Sequence, residues 1–328
     1  MKKIKINFVD FQKDLSENND FFDILSRHYH VEISDNPDYL FYSVFGTDHL
    51  KYKKCVKIFY TGECVTPNFN ECDYAIGFDR LTFGDRYLRQ PLYSLFKYKA
   101  NYEKLFVRRF ITEADISDKT DFCNYVVSNS FVKDRRTEVF LKLSEYKRVN
   151  SGGRYMNNIG GAVKDKYAFQ RKHKFSIAFE NCSYDGYATE KLVDAFAAET
   201  IPIYWGDPRI GEDFNENAFV NCHNFGSLEE VVERVREIDQ DNLLFLSMVN
   251  QPIVRKRPES LEAFLCHIFD QDLNQAYRRS FSRSSLAYED CQFRHKFYED
   301  NIYVYIARLK NLIFRLKNDN VHSRNRSK

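Results

Sequence analysis

No run in the 328-residue chain approaches the ~20 consecutive apolar residues that a membrane-spanning helix requires. The opening MKKIKINFVDFQKD is too short and turns polar too soon for a secretory leader, so the expected location is the cytoplasm. Charge of one sign is also lacking. A formal net charge of +2 leaves no general basic footprint for nucleic acid. Cysteines are present at 55, 64, 72, 123, 182, 222, 266 and 291, but no C-x-x-C pair and no zinc-like Cys/His spacing occurs among them. Buried free thiols in a reducing compartment are the expectation. The G-x-G-x-x-G fingerprint is absent, which removes that kind of dinucleotide site. There is no tandem repeat.

What is present suits a soluble globular protein of about two domains. Apolar residues make up 43% and charged residues 29%, ordinary values for such a protein. Apolar runs at 3–9, 30–34, 38–46, 56–63 and 72–78 read as strands, with a short helix over 21–29. Residues 95–120 read as a connection. A strand over 123–130 and a helix over 134–150 open a second unit. Strands alternating with helices indicate α/β layers with parallel sheets. Residues 227–239, SLEEVVERVREID, form an amphipathic helix pattern, with Ser227 as cap and Glu230 supplying the capping-box carboxylate.

The second unit is organised around Lys174–Gly206. FSIAF (175–179) reads as a buried strand, ENCSYDGYA as a polar turn, TEKLVDAFAAE as a helix with Thr189 at its cap, and IPIYWG as another strand. Such a unit usually presents ligands beyond the carboxyl ends of its strands. A helix start favours an anion, and Lys191 beside it adds a full positive charge, so a phosphate is the natural candidate. By themselves these residues are equally compatible with an ordinary loop and an ordinary acidic first helical turn. SGGRYMNNIGG (151–161) is the most glycine-dense segment and reads either as a phosphate-side loop or as a plain linker.

Four blocks together resemble the bacterial α1,3/4-fucosyltransferases of glycosyltransferase family ten, the Helicobacter-type enzymes in particular. They are FYTGE (59–63), DYAIGFDRLTFGDRYLRQPLY (73–93), FENCSYDGYATEK (179–191) and IPIYWGDP (201–208). The resemblance implies a GT-B fold: two Rossmann-like α/β domains facing across a cleft. The expected division is 1–118 for the acceptor, 119–265 for GDP-fucose, and a helical segment with a basic tail over 266–328. It also implies an inverting α1,3-fucosyltransferase that moves L-fucose from GDP-β-L-fucose to O3 of GlcNAc in N-acetyllactosamine-type acceptors, building Lewis-type antigens. The alternatives are a GT-B transferase using another nucleotide sugar, and a sugar-nucleotide-binding module without turnover.

The resemblance assigns roles residue by residue. Glu63 is the implied general base; it follows the strand VKIFY, where an α/β domain presents its ligands. Lys191 is the implied diphosphate ligand. Glu190 is the donor-side carboxylate, holding fucose or ribose or stabilising the anomeric centre. Asn181 and Tyr187 match donor-site positions, and Glu180 belongs to the same block with a possible structural role. Relatives carry a diphosphate-binding arginine where this chain has Met156, so Arg154, two residues earlier, is the candidate. The D-x-D sequences at Asp239–Asp241 and Asp270–Asp272 read as solvated helix ends. No obligatory metal is expected, with stimulation by Mn²⁺ or Mg²⁺ left open. Over 301–318 the apolar stripe Ile302, Tyr305, Ile306, Leu309, Leu312, Ile313 and Leu316 lies among basic residues. A helix docked on the body is the first reading; peripheral contact with the inner face of the cytoplasmic membrane, or a homodimer, is the functional one.

Overall fold

The computed structural model describes residues 1–12, 19–128 and 135–298, with Ile306 and Leu309 beyond them. The rest of the stripe expected over 301–318 lies outside the described residues. No helix among those described is long and apolar enough to cross a membrane.

The first domain contains β1 (Lys3–Val9), α1 (Asp20–His28), β2 (His30–Ile33), β3 (Tyr39–Tyr42), β4 (Val56–Tyr60), β5 (Tyr74–Gly77) and β6 (Tyr87–Arg89). Its sheet is parallel throughout, in the order β2-β1-β3-β4-β5-β6. β3, β4 and β5 are buried at every position, which is why they read as mainly apolar runs, with Lys57 of β4 the one charged residue among them. β6 gave no such run: it is three residues long and carries Arg89.

A connection holding α2 (Lys99–Lys104) and α3 (Glu113–Ser117) leads to the second domain. This comprises β7 (Asp121–Tyr125), α4 (Arg135–Tyr146), β8 (Val149–Ser151), α5 (Lys166–Arg171), β9 (His173–Phe179), α6 (Glu190–Ala197), β10 (Ile201–Trp205), β11 (Val220–Asn221), α7 (Leu228–Gln240) and α8 (Asn242–Val249). The sheet is again parallel, in the order β11-β10-β9-β7-β8. The architecture is the two-domain α/β arrangement expected of GT-B.

Several local expectations need correction. The helix expected to run to 150 stops at Tyr146, because Val149–Ser151 pairs with β7 as β8. The strand expected over 219–225 pairs only at Val220 and Asn221 before turning. Ser227 does cap α7, accepting from the Glu230 N–H at 3.3 Å, but the Glu230 carboxylate takes the Gly226 N–H one residue further back. Of the cysteines, Cys55, Cys72, Cys123 and Cys222 are buried; Cys64, Cys182 and Cys266 are partly exposed and Cys291 is exposed, all as free thiols.

After α8 the chain returns to the first domain. α9 (Leu261–Asp270) sets Leu261, Leu265, Ile268 and Phe269 into the same core as Ile4, Ile6, Phe21 and Phe41. The expected boundary at 265 therefore falls inside a helix that packs on the first sheet. α10 (Arg283–Tyr298) follows, and its Glu289 reaches Arg279, which in turn pairs with the fully buried Asp73.

Candidate active site between the two sheets

The carboxyl ends of the two sheets meet. Phe78, just past β5, packs edge-on against Tyr187 and Tyr184 of the loop that follows β9, with centroids 5.0 and 5.8 Å apart. Gly186 has φ +83°, and a Cβ there would lie 2.4 Å from the Phe78 carbonyl oxygen, so only glycine lets the loop approach this closely. Arg80 and Arg89 complete the junction. Arg80 Nη2 donates to Asp207 at 2.8 Å and Asp213 at 3.1 Å, and Arg89 Nη2 donates to Asp213 at 2.7 Å. Both aspartates are buried. The second and fourth sequence blocks are thus two halves of one ion-pair cluster, a role that sequence reading missed because it depends on how the domains face each other.

The loop after β9 is held from within by Glu180. Its fully buried carboxylate accepts the Thr189 N–H at 2.7 Å, the Thr189 hydroxyl at 2.7 Å and the Lys191 ammonium at 2.8 Å. Thr189 stands at the N-cap of α6, but its hydroxyl makes no capping bond; it is committed to Glu180 and also accepts from Lys191 at 2.7 Å. That corrects the cap expected there. Burial acts to lower the Lys191 pKa, but Glu180 and Glu190 outweigh it and raise it. Glu190 Oε1 lies 3.6 Å from Lys191 Nζ. Burial acts to raise the Glu190 pKa, and Lys191 with Lys166 brings it below the ordinary carboxylate value. Both groups are therefore charged at neutral pH.

Asn181 is exposed and accepts from Arg136 Nη1 at 3.1 Å. Arg136 is a buried arginine at the start of α4, close enough to Lys191 for their charges to interact. Arg135 beside it stands over Trp205, which stacks on His223. Arg135 and Arg136 lie at the carboxyl edge of the sheet and were not singled out from sequence; DRRTEVFLKL carries a helical pattern but no mark of which arginine turns inward.

Tyr187 is buried between the domains. Glu63 is partly exposed three residues beyond β4, with its N–H bonded to Thr61 Oγ1 at 3.0 Å. Tyr98 connects the two sides. Its phenol is pushed up to about 12, first by burial and then by Glu190 and Asp194, and Glu63 adds to the rise. Tyr187 likewise senses both Glu180 and Glu63 after burial. The structure therefore brings Glu63, Tyr98, Tyr187, Glu190 and Lys191 into one neighbourhood, with Asn181 and Arg136 adjoining.

Arg154 takes part in none of these contacts. It is exposed and makes no hydrogen bond or ion pair among the described residues. The loop carrying it is a built element rather than a plain linker. Asn157 donates to the carbonyls of Gly153 and Gly161, and Asn158 ties Ser151 to Val149. A Cβ at Gly153 would sit 1.9 Å from the Val127 carbonyl oxygen. Met156 is partly buried and packs on the second domain's core.

The D-x-D sequences have separate local roles. Asp239 is buried and bonded to Tyr146 and Lys147, not solvated as expected. Asp241 caps α8. Asp270 accepts from Tyr29, and Asp272 closes a turn at Asn274.

Both domains have counterparts among known proteins. Residues 6–96 match the model of the α-(1,3)-fucosyltransferase FucT N-terminal domain, and residues 116–250 match that of the glycosyltransferase family 10 (fucosyltransferase) C-terminal region. The chain is 34% identical over 260 residues to the α-(1,3)-fucosyltransferase FucT of Helicobacter pylori, an alignment covering 69% of this chain and 54% of that protein. It is 29% identical over 142 residues to mouse 4-galactosyl-N-acetylglucosaminide 3-α-L-fucosyltransferase 9, covering 42% of this chain and 38% of that one. The chain thus spans about half, or less, of the length of these curated relatives. A crystal structure of an α1,3-fucosyltransferase with GDP-fucose superposes with a TM-score of 0.71 at 27% identity, over 85% of this chain and 94% of that one. With both family regions matched in order, and each corresponding to one of the two facing sheets, the chain belongs to glycosyltransferase family 10, the fucosyltransferases.

Proposed function

We propose that the protein transfers L-fucose from GDP-β-L-fucose to O3 of GlcNAc in an N-acetyllactosamine-type acceptor, with inversion at the anomeric carbon. The observation that carries this reading is that Glu63, on the first domain, and Glu190 and Lys191, on the second, all lie within electrostatic reach of the one Tyr98 phenol. The similarity to an α1,3-fucosyltransferase crystallised with GDP-fucose supports the choice of donor.

In this reading the acceptor enters from the side of β4 and the donor from the start of α6. Glu63 takes the proton from the attacking hydroxyl as the new glycosidic bond forms. The bond from the anomeric carbon to the diphosphate oxygen breaks in the same displacement. Lys191 and Arg136 face the negative charge that develops on the departing GDP. Glu190 holds a sugar hydroxyl of the donor or stabilises positive character at the anomeric carbon. Glu180 holds Lys191 and Thr189 in position and does not contact substrate. Arg154 is a donor-side contact from the glycine-rich loop. Cationic side chains carry the leaving-group charge, so the reaction proceeds without an obligatory metal.

The test is a transfer assay with GDP-fucose and N-acetyllactosamine, run with EDTA and separately with Mn²⁺. Product in both supports the reaction and its independence of metal. GDP-fucose binding without transfer points to another acceptor or to a binding module. No binding by calorimetry overturns the donor assignment.

A further inference from the structure

Asp79 is a buried carboxylate that the proposed mechanism leaves unused. It is 8% exposed, and its Oδ2 has no hydrogen-bond donor. Arg89, whose charge reaches it, and Arg80, its neighbour in the chain, are both committed elsewhere. Arg80 is spent on Asp207, Glu212 and Asp213. Arg89 is spent on Asp213 and the Phe78 carbonyl. A buried acceptor without a donor needs a reason, and a ligand that brings the donor is one.

The position of Asp79 suggests which ligand. The register of β4 and β5 pairs Tyr60 with Ile76, so Glu63 and Asp79 each follow three residues later on adjacent strand ends. Cys64, next to Glu63, lies within electrostatic reach of Asp79 and touches Cys182 of the opposite loop. Tyr184 of that loop completes the wall. The residue is 45% exposed, and its ring is propped edge-on by Phe78, which is itself buried. An apolar ring face beside a carboxylate matches a pyranose: the ring's C–H face lies on the aromatic and a hydroxyl donates to the carboxylate. The other carboxylate of this corner, Asp185, is paired with Arg209 and Arg80, so no pair of free acids is present to attract a cation. Electrostatics agree: burial pushes the Asp79 carboxyl up to about 6, with Asp185 adding and Arg89 opposing, and Tyr87, Tyr184 and Cys64 are the other titratable groups within its reach.

We infer that Tyr184 and Asp79 form the subsite for the accepting sugar ring, with the Tyr184 face stacked on the pyranose and Asp79 Oδ2 accepting one of its hydroxyls beside Glu63. This inference rests on the fucosyl-transfer reading above. Two domains then contribute to acceptor binding, so the acceptor is gripped only when they face each other as they do here.

The experiment uses the full chain and the variants Tyr184→Ala, Tyr184→Phe, Asp79→Asn and Asp79→Glu, with acceptor KM, kcat and the Kd for GDP measured for each. Tyr184→Ala and Asp79→Asn should raise acceptor KM by ~10-fold, the loss of one good contact, while the Kd for GDP stays within about twofold. Tyr184→Phe should behave as wild type, since the ring and not its hydroxyl is used, and Asp79→Glu should recover part of the loss. An unchanged KM in both Tyr184→Ala and Asp79→Asn overturns the subsite, as does Tyr184→Phe failing as badly as Tyr184→Ala. If the wild type transfers no fucose, the reaction reading is what has failed. Saturation-transfer NMR with N-acetyllactosamine then reads the subsite directly: signal lost in Tyr184→Ala supports it, and signal absent in wild type or equal in both overturns it.

Discussion

Arg80 Nη2 lies 2.8 Å from Asp207 Oδ2, an ion pair that joins the end of β5 in the first domain to the end of β10 in the second. Arg80 is almost fully enclosed and Asp207 has no exposed surface, so the pair is one both partners depend on. Removing only the cation strands a buried carboxylate, which typically costs more than the intact pair contributes. Arg80→Ala is expected to lower unfolding stability by ~3 kcal/mol in urea titration. A loss too small to measure would mean that the two domains are held by their apolar contacts alone.

Lys191 is tied to Glu180 and Thr189 with its ammonium toward Glu190. If it also contacts the diphosphate, Lys191→Ala removes a charge-assisted hydrogen bond and should weaken GDP binding by ~10- to 100-fold in calorimetry. Glu180→Gln keeps the shape of the loop but removes the charge that raises the Lys191 pKa. Its effect on GDP binding should be smaller than that of Lys191→Ala; the reverse order would make Glu180 the ligand.

Glu63→Gln retains the size of the side chain and abolishes its basicity. Transfer should fall by ~10²- to 10⁴-fold, the usual range for loss of a general base, with the Kd for GDP unchanged. Equal loss of donor binding would assign Glu63 to the donor instead.

Asp79 carries a pH signature. Burial raises its pKa from an ordinary 3.8 to about 6. Between those values the folded protein holds a proton that the unfolded chain has released. Stability from this group is therefore present at acid pH and falls as pH rises from about 4 to about 6, then levels off. Asp79→Asn should flatten that decline and raise stability at pH 7.5 by ~1–3 kcal/mol. A variant less stable than wild type at that pH would show that the charged carboxylate is paired after all.

Gly153→Ala would place a methyl against the Val127 carbonyl, whereas Gly160 has φ +88° and open space around it. The former should cost ~1–3 kcal/mol through overpacking. Gly160→Ala should cost less, ~1 kcal/mol, from backbone strain alone. Equal, negligible effects would return the segment to the status of a linker.

Sequence legibility followed the range of the forces involved. The mainly apolar runs over 39–42, 56–60, 74–77 and 175–179 became buried strands, because a parallel strand covered on both faces is predominantly apolar; Lys57 and Ser176 are the polar residues buried within them. The amphipathic period of 227–239 became α7 with Ser227 as its cap, since period and cap are both local. The resemblance of four blocks was enough to name the family and the two-domain fold.

The sequence by itself thus determined most of the longer strands, the main helices and the family. Only the tertiary structure decided their partners. That Glu180 grips Lys191, that Arg80 and Arg89 serve Asp207 and Asp213 rather than Asp79, that Arg136 turns inward to Asn181, and that α9 crosses back to the first core are all long-range outcomes. The physical reason is that a charged side chain reads the same in sequence whether it is solvated or buried. Its role is fixed by which partner the folded chain brings within about 3 Å, where a charge-assisted hydrogen bond forms.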